Sequence, residues 1–133
     1  MQEGTMTKPG NLHETGGCQR VNTVLSRIGD KWSVQVIMRL SAGSRRFNEL
    51  KREIGNVSQK MLSATLRGLE RDGLVTRSVT PSVPPRVDYA LTALGHELLV
   101  PVGALGDWAF ANIDAVERAR AAFDAAHADG LRA

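Results

Sequence analysis

The feature that most constrains the fold is a change of hydrophobic period in the middle of the chain. Through Leu69 the apolar residues recur three and four apart, the spacing of one helix face; from Val75 they alternate, the spacing of a half-buried strand. The two regimes meet at Asp72-Gly73-Leu74, where glycine supplies a left-handed helix stop and Leu74 can pack back on Leu69. A chain that turns from helices into a short hairpin within a few residues is confined to a small set of mainly α architectures with an appended β element.

The helical part divides at punctuation residues. Val21, Val24, Leu25 and Ile28 define a first helix that Gly29 ends. Asp30 then caps a second, with Trp32, Val36, Ile37 and Leu40 on its core face. A short third helix carries Phe47, Leu50 and Ile54, and Gly55-Asn56-Val57 makes a tight turn. Ser58 caps a fourth helix whose Leu62, Leu66 and Leu69 face inward. Val75–Val79 and Val87–Leu91 are two strands of a hairpin. Its Pro-rich connection, Thr80 to Arg86, is stiffened in an extended form and should project. From Ala93 a helical pattern returns with Leu94, Leu98, Val102, Leu105, Trp108, Ile113, Val116 and Phe123, kinked or restarted at Pro101.

The predicted fold is therefore mainly α with a small β-hairpin, and the order of elements is that of a winged helix-turn-helix. In that arrangement the third helix supports the fourth, whose exposed N-terminal half enters the major groove of DNA. With three leucines turned inward, the fourth helix presents Gln59, Lys60, Ser63 and Arg67. Amide and hydroxyl groups suit base edges, and Lys60 and Arg67 suit bases or phosphates. Ser58 and the helix-start amides are suited to hold a phosphate. Arg86 at the hairpin tip suits a phosphate or the minor groove, and Arg45 and Arg46 ahead of the third helix are further candidates for phosphate contact. Each feature taken alone is equally an ordinary solvated surface; their conjunction is what points to duplex DNA.

Charge is distributed accordingly. The net charge is only +3, yet Arg39 to Arg86 holds ten Lys/Arg against four Asp/Glu, while the remainder holds seven against ten. A basic middle between acidic flanks is the pattern of a polyanion-binding surface. No apolar run approaches the roughly 20 residues of a membrane span. Residues 1–17 carry no secretory signal pattern and read as a flexible leader to one folded domain over 18–133, with the cytoplasm as the expected compartment. His13, His96 and His127 lie far apart without metal-ligand spacing; no metal, cofactor or enzymatic constellation is expected. The single cysteine, Cys18, excludes an intrachain disulfide and leaves an intersubunit bond, a reactive thiol or an inert buried thiol.

Several stretches carry a family resemblance: Cys18, IGDKW (28–32), RFNEL (46–50), SQKMLSATLRGLERDGLV (58–75), PSVPPRVDYALTALG (81–95) and PVGALGDW (101–108). From about Cys18 to Trp108 the chain resembles the HxlR-type winged helix-turn-helix transcriptional regulators, related in fold to the MarR group. The resemblance implies a bacterial homodimer that binds a palindromic operator through the fourth helix and the wing, and puts functional weight on Lys60 and Arg86. It also implies a dimer interface of terminal helices, here Val21, Leu25, Leu98, Val102, Leu105 and Trp108. The apolar stripe after Ala93, long for so small a domain to cover, argues separately for a partner helix. Some relatives use a cysteine at the position of Cys18 to sense oxidants or electrophiles. Two departures are Gln19, where many relatives have proline beside the cysteine, and Thr80, where an aromatic is frequent. The expected function is a DNA-binding repressor switched at Cys18. The alternatives are a regulator switched by a small ligand with Cys18 inert, and a winged-helix module for protein partners.

Overall fold

A computed structural model describes residues Thr15–Arg132, with the side chains of residues 17–128. Its elements run α1 (Thr15–Gly29), α2 (Lys31–Leu40), β1 (Arg45–Arg46), α3 (Phe47–Ile54), α4 (Gln59–Arg71), β2 (Val75–Thr80), β3 (Arg86–Leu91) and α5 (Ala93–Arg132). The chain divides into two compact units, one ending at Leu99 and one comprising residues 100–133.

In the first unit the caps fall where the sequence offers them. Asp30 Oδ2 accepts both the backbone N–H (2.9 Å) and the hydroxyl (3.0 Å) of Ser33, which satisfies a buried serine and starts α2. Glu49 Oε1 accepts the Arg46 N–H at 2.8 Å and closes the first turn of α3. Gly55, at φ 96°, turns the chain out of α3, and Val57 is buried in the short link to α4. Ser58 Oγ accepts the Met61 N–H at 3.0 Å. At the far end of α4, Leu74 N–H reaches Leu69 O and Gly73 N–H reaches Glu70 O, both at 3.0 Å, with Gly73 at φ 77°. This is the Schellman stop expected from the sequence, and it directs the chain straight into β2.

Val36, Ile37, Leu40, Leu50, Leu62, Leu66, Leu69 and Val75 form the centre of the core, with Phe47, Ile54 and Tyr89 packed around it. Each fully buried leucine contributes about 1.5–3 kcal/mol, so the α4 triad is what presses that helix onto α2 and the sheet. Thr92 caps α5: its hydroxyl accepts the Gly95 N–H at 3.0 Å and donates to Gly73 O at 2.7 Å. A Cβ at Gly95 would collide with Leu74 O, so glycine permits the close approach of α5 to the α4–β2 turn.

Three expectations are corrected. The first helix starts at Thr15 rather than near Val21, so Cys18 lies within its first turn and residues 15–17 join the helix; the rest of the expected leader, with His13, lies outside the described residues. Val21, Val24 and Leu25 on the expected helix face are exposed and Ile28 is half-buried, which leaves Val21 and Leu25 of the expected dimer set uncovered within the single chain. The hairpin has a third strand: β1 pairs antiparallel with β3, giving the order β1-β3-β2 and covering an otherwise open edge of β3. Pro101 restarts no separate element, since α5 continues through it.

The second unit is the rest of α5. Leu105, Trp108, Phe110, Ile113 and Phe123 are exposed. Leu105, Trp108, Val116 and Phe123 recur on one side at helical spacing. Val102 is buried within the chain, unlike its companions in the expected dimer set, and Leu98 in the first unit is half-buried.

Candidate nucleic-acid interface

The site is built on α4 because burial fixes its orientation. With Leu62, Thr65, Leu66 and Leu69 inward, a rotation of about 100° per residue puts Lys60, Ala64, Arg67 and Arg71 along the opposite ridge. Gln59 and Ser63 flank the ridge on one side. Lys60, Arg67 and Arg71 are exposed and make no hydrogen bond or ion pair with other described residues. Long cations held on a rigid element without internal partners are available to an external anion.

Two grooves border the ridge. One, of about 460 Å³, lies towards α1 and is lined by Arg27, Lys60, Ser63, Ala64, Arg67, Gly68 and Arg71. The other, of about 430 Å³, lies towards the sheet and is lined by Ser63, Arg67, Glu70, Arg77 and Tyr89. A third cleft, of about 670 Å³, separates the wing from α3, with Arg46, Asn48, Arg52, Ser82 and Arg86 on its walls. Within the wing connection the Ser82 hydroxyl donates to Pro84 O at 2.7 Å, closing the tip on itself. Arg86 Nε meets both oxygens of Asp88, at 3.4 and 3.0 Å.

The structure thus brings Gln59, Lys60, Ser63 and Arg67 together, and sets Arg46 and Arg86 in one cleft. Ser58 is occupied by its capping bond. Arg45 is turned to the opposite face of β1 from Arg46, with Nε on Glu53 Oε2 at 3.2 Å and Nη1 on the carbonyls of Gly43 and Ser44. Its charge is consumed internally. Sequence reasoning places Arg71, eleven residues and three helical turns from Lys60, on the same polar side of the helix but gives it no DNA-binding role, and it assigns none to Arg77, Arg52 or Arg27. Arg27 was not findable, because its partner Asp72 is 45 residues away. Cys18 is half-buried and accepts a contact from Asn22 Nδ2 at 3.5 Å.

A three-helix core, a capped helix with a cationic exposed ridge and a hairpin bearing arginine define a winged helix-turn-helix regulator of transcription. A profile of the HxlR-like helix-turn-helix family matches residues 27–117, and the chain belongs to that family. It is 43% identical over 93 residues to the uncharacterized HTH-type transcriptional regulator YtfH of Escherichia coli (strain K12), spanning 70% of this chain and 74% of that one. Among solved structures it is similar to the transcriptional regulator ytfH from Salmonella typhimurium, with a TM-score of 0.70, 40% identity and coverage of 75% and 89%. It is also similar to the redox regulator HypR in its reduced form, with a TM-score of 0.70, 38% identity and coverage of 74% and 98%. These relatives and the family are regulators, not enzymes.

Proposed function

We propose that the protein binds an operator as a homodimer, with α4 in the major groove and the wing against the backbone, and that modification of Cys18 switches this binding. The reading rests on one observation above the others: Lys60, Arg67 and Arg71 line the exposed ridge of α4 with no internal partner. In this reading Gln59 and Ser63 read base edges, while Lys60, Arg67 and Arg71 hold backbone or bases. Ser58 acts through the helix start it caps, and Arg46 and Arg86 serve the wing side.

Homodimerisation is supported by what each unit leaves uncovered. α1 exposes Val21, Val24 and Leu25, and the second unit exposes Leu105 and Trp108 on a helix with no core of its own. An isolated helix with one apolar face gains its stability from packing that face. A two-fold pair of α4 helices implies a palindromic site with half-sites about one DNA turn apart. Repression follows sterically, because a duplex wrapped by two recognition helices and two wings is closed to other proteins. The similarity to HypR, described as a redox regulator, supports the thiol switch, as does a half-buried Cys18 in the first turn of α1. The cytoplasm is the compartment such a regulator occupies.

The test is to sequence genomic fragments retained by the purified protein, with reduced and diamide-treated samples in parallel. A palindromic site enriched in the reduced sample and lost or altered on oxidation is the expected result. Enrichment indifferent to oxidation removes Cys18 from the switch, and no enrichment by folded dimer defeats the DNA-binding reading.

A further inference from the structure

The wing holds a carboxylate where a DNA-binding surface has electrostatic reason to exclude one. Asp88 is mostly buried, with 22% of its side chain exposed, and takes Arg86 Nε at 3.0 Å. It lies directly across β3–β1 from Arg46 and across β3–β2 from Ser78, and Arg86 is two residues before it on β3. Directly opposed residues and residues two apart share a sheet face, so Arg46, Arg86 and Asp88 are on one face. Of these three, Arg46 and Arg86 line the wing–α3 cleft, to which α3 adds Arg52, while Asp88 stands behind the lining. The lining carboxylate, Glu49, already accepts the Arg46 backbone N–H.

Asp88 occupies Nε of Arg86 and leaves the two terminal nitrogens without partners among the described residues. A guanidinium is a rigid planar fork; fixing one edge on a carboxylate orients the rest of it. An arginine at the tip of an exposed hairpin otherwise samples many rotamers, and ordering it on binding costs affinity.

We propose that Asp88 is the positioning residue of the wing: by holding Arg86 Nε it aims the terminal nitrogens at a backbone phosphate of duplex DNA, seated in the cleft with Arg46 and Arg52. The inference rests on the DNA-binding reading above. It makes a prediction opposite in sign to plain electrostatics. Deleting an acid beside a polyanion site should tighten binding, whereas deleting a positioning carboxylate should weaken it.

The experiment is a double-mutant cycle on a labelled duplex carrying a site recovered from the genomic selection. Asp88→Ala is expected to weaken binding about five- to tenfold, the loss of an oriented charged hydrogen bond. In an Arg86→Ala background the same change should alter nothing further, an outcome that general damage to the sheet would not produce. Asp88→Asn, which keeps an acceptor oxygen but cannot offer two carboxylate oxygens to Nε, should fall between wild type and Asp88→Ala. Arg52→Ala should weaken all duplexes alike and flatten the salt dependence by about 0.9 in slope, the signature of one lost phosphate contact. Wild-type or tighter binding by Asp88→Ala, or equal loss in both backgrounds, overturns the proposal. If Lys60→Ala still weakens binding in that case, the DNA-binding reading stands and the inference alone fails. A wild-type protein without salt-dependent DNA binding removes both.

Discussion

Arg27 Nε lies 2.8 Å from Asp72 Oδ2, an ion pair that ties the end of α1 to the C-cap of α4. The guanidinium crosses the helix at Gly68, in the space that a Cβ there would occupy. The absence of a side chain at one helical position thus lets an arginine from another helix reach a carboxylate 45 residues along the chain.

This arrangement predicts a masked stabilisation. Gly68→Ala should gain about 1 kcal/mol of helix propensity, yet displacing Arg27 from a partly exposed pair should return up to about 1 kcal/mol. In an Arg27→Ala background the full gain should emerge. Urea titration of the four proteins measures this directly, and an equal effect of the alanine in both backgrounds would contradict the packing described.

Ser58 separates structure from recognition. Ser58→Ala loses the acceptor for the Met61 N–H and should cost about 1 kcal/mol of stability. Ser58→Asp keeps a good cap and places a negative charge at the helix start, so its melting temperature should match wild type. The same aspartate faces the proposed phosphate backbone, and its DNA affinity should fall well below that of a protein of equal stability. Thermal melts alongside binding titrations read out both effects.

The α4 ridge predicts additive salt slopes. Replacing Lys60, Arg67 or Arg71 singly with alanine should reduce the slope of log affinity against log salt by about 0.9 for each residue that meets a phosphate. A residue that instead reads a base should leave the slope intact and relax preference for the site at one position. Sedimentation must show these proteins with the oligomeric state of wild type, since none of the three is buried.

Leu105→Glu and Val21→Glu address the dimer. Both residues are exposed in the single chain, so neither change costs core packing within it. Analytical ultracentrifugation is expected to show dissociation to monomers together with loss of operator binding. A dimer of unchanged affinity in both variants would place the interface elsewhere.

Local chemistry made much of this protein legible. Asp30, Ser58 and Gly73 cap or stop helices because their side chains or φ preferences act within a few residues, and Leu62, Leu66 and Leu69 share a face by period alone. The same periodicity exposed Gln59, Lys60, Ser63 and Arg67, while short motifs such as SQKML and VPPRVDY carried the resemblance to the family whose profile the chain matches. What lay beyond it depended on residues distant in the chain. Two residues, Arg45 and Arg46, are too short a run to announce a strand; pairing with β3 creates it, and that pairing sends Arg45 to Glu53 and Arg46 into the wing cleft. Arg27 has no local feature that foretells Asp72. The helical pattern of Val21, Val24 and Leu25 says that a face is apolar, not what covers it; only the folded chain reveals that the first unit leaves them exposed. Periodicity and capping are properties of neighbouring residues, and so they are written in the sequence. Partnership across the fold is a property of three-dimensional proximity, and the tertiary structure alone decides it.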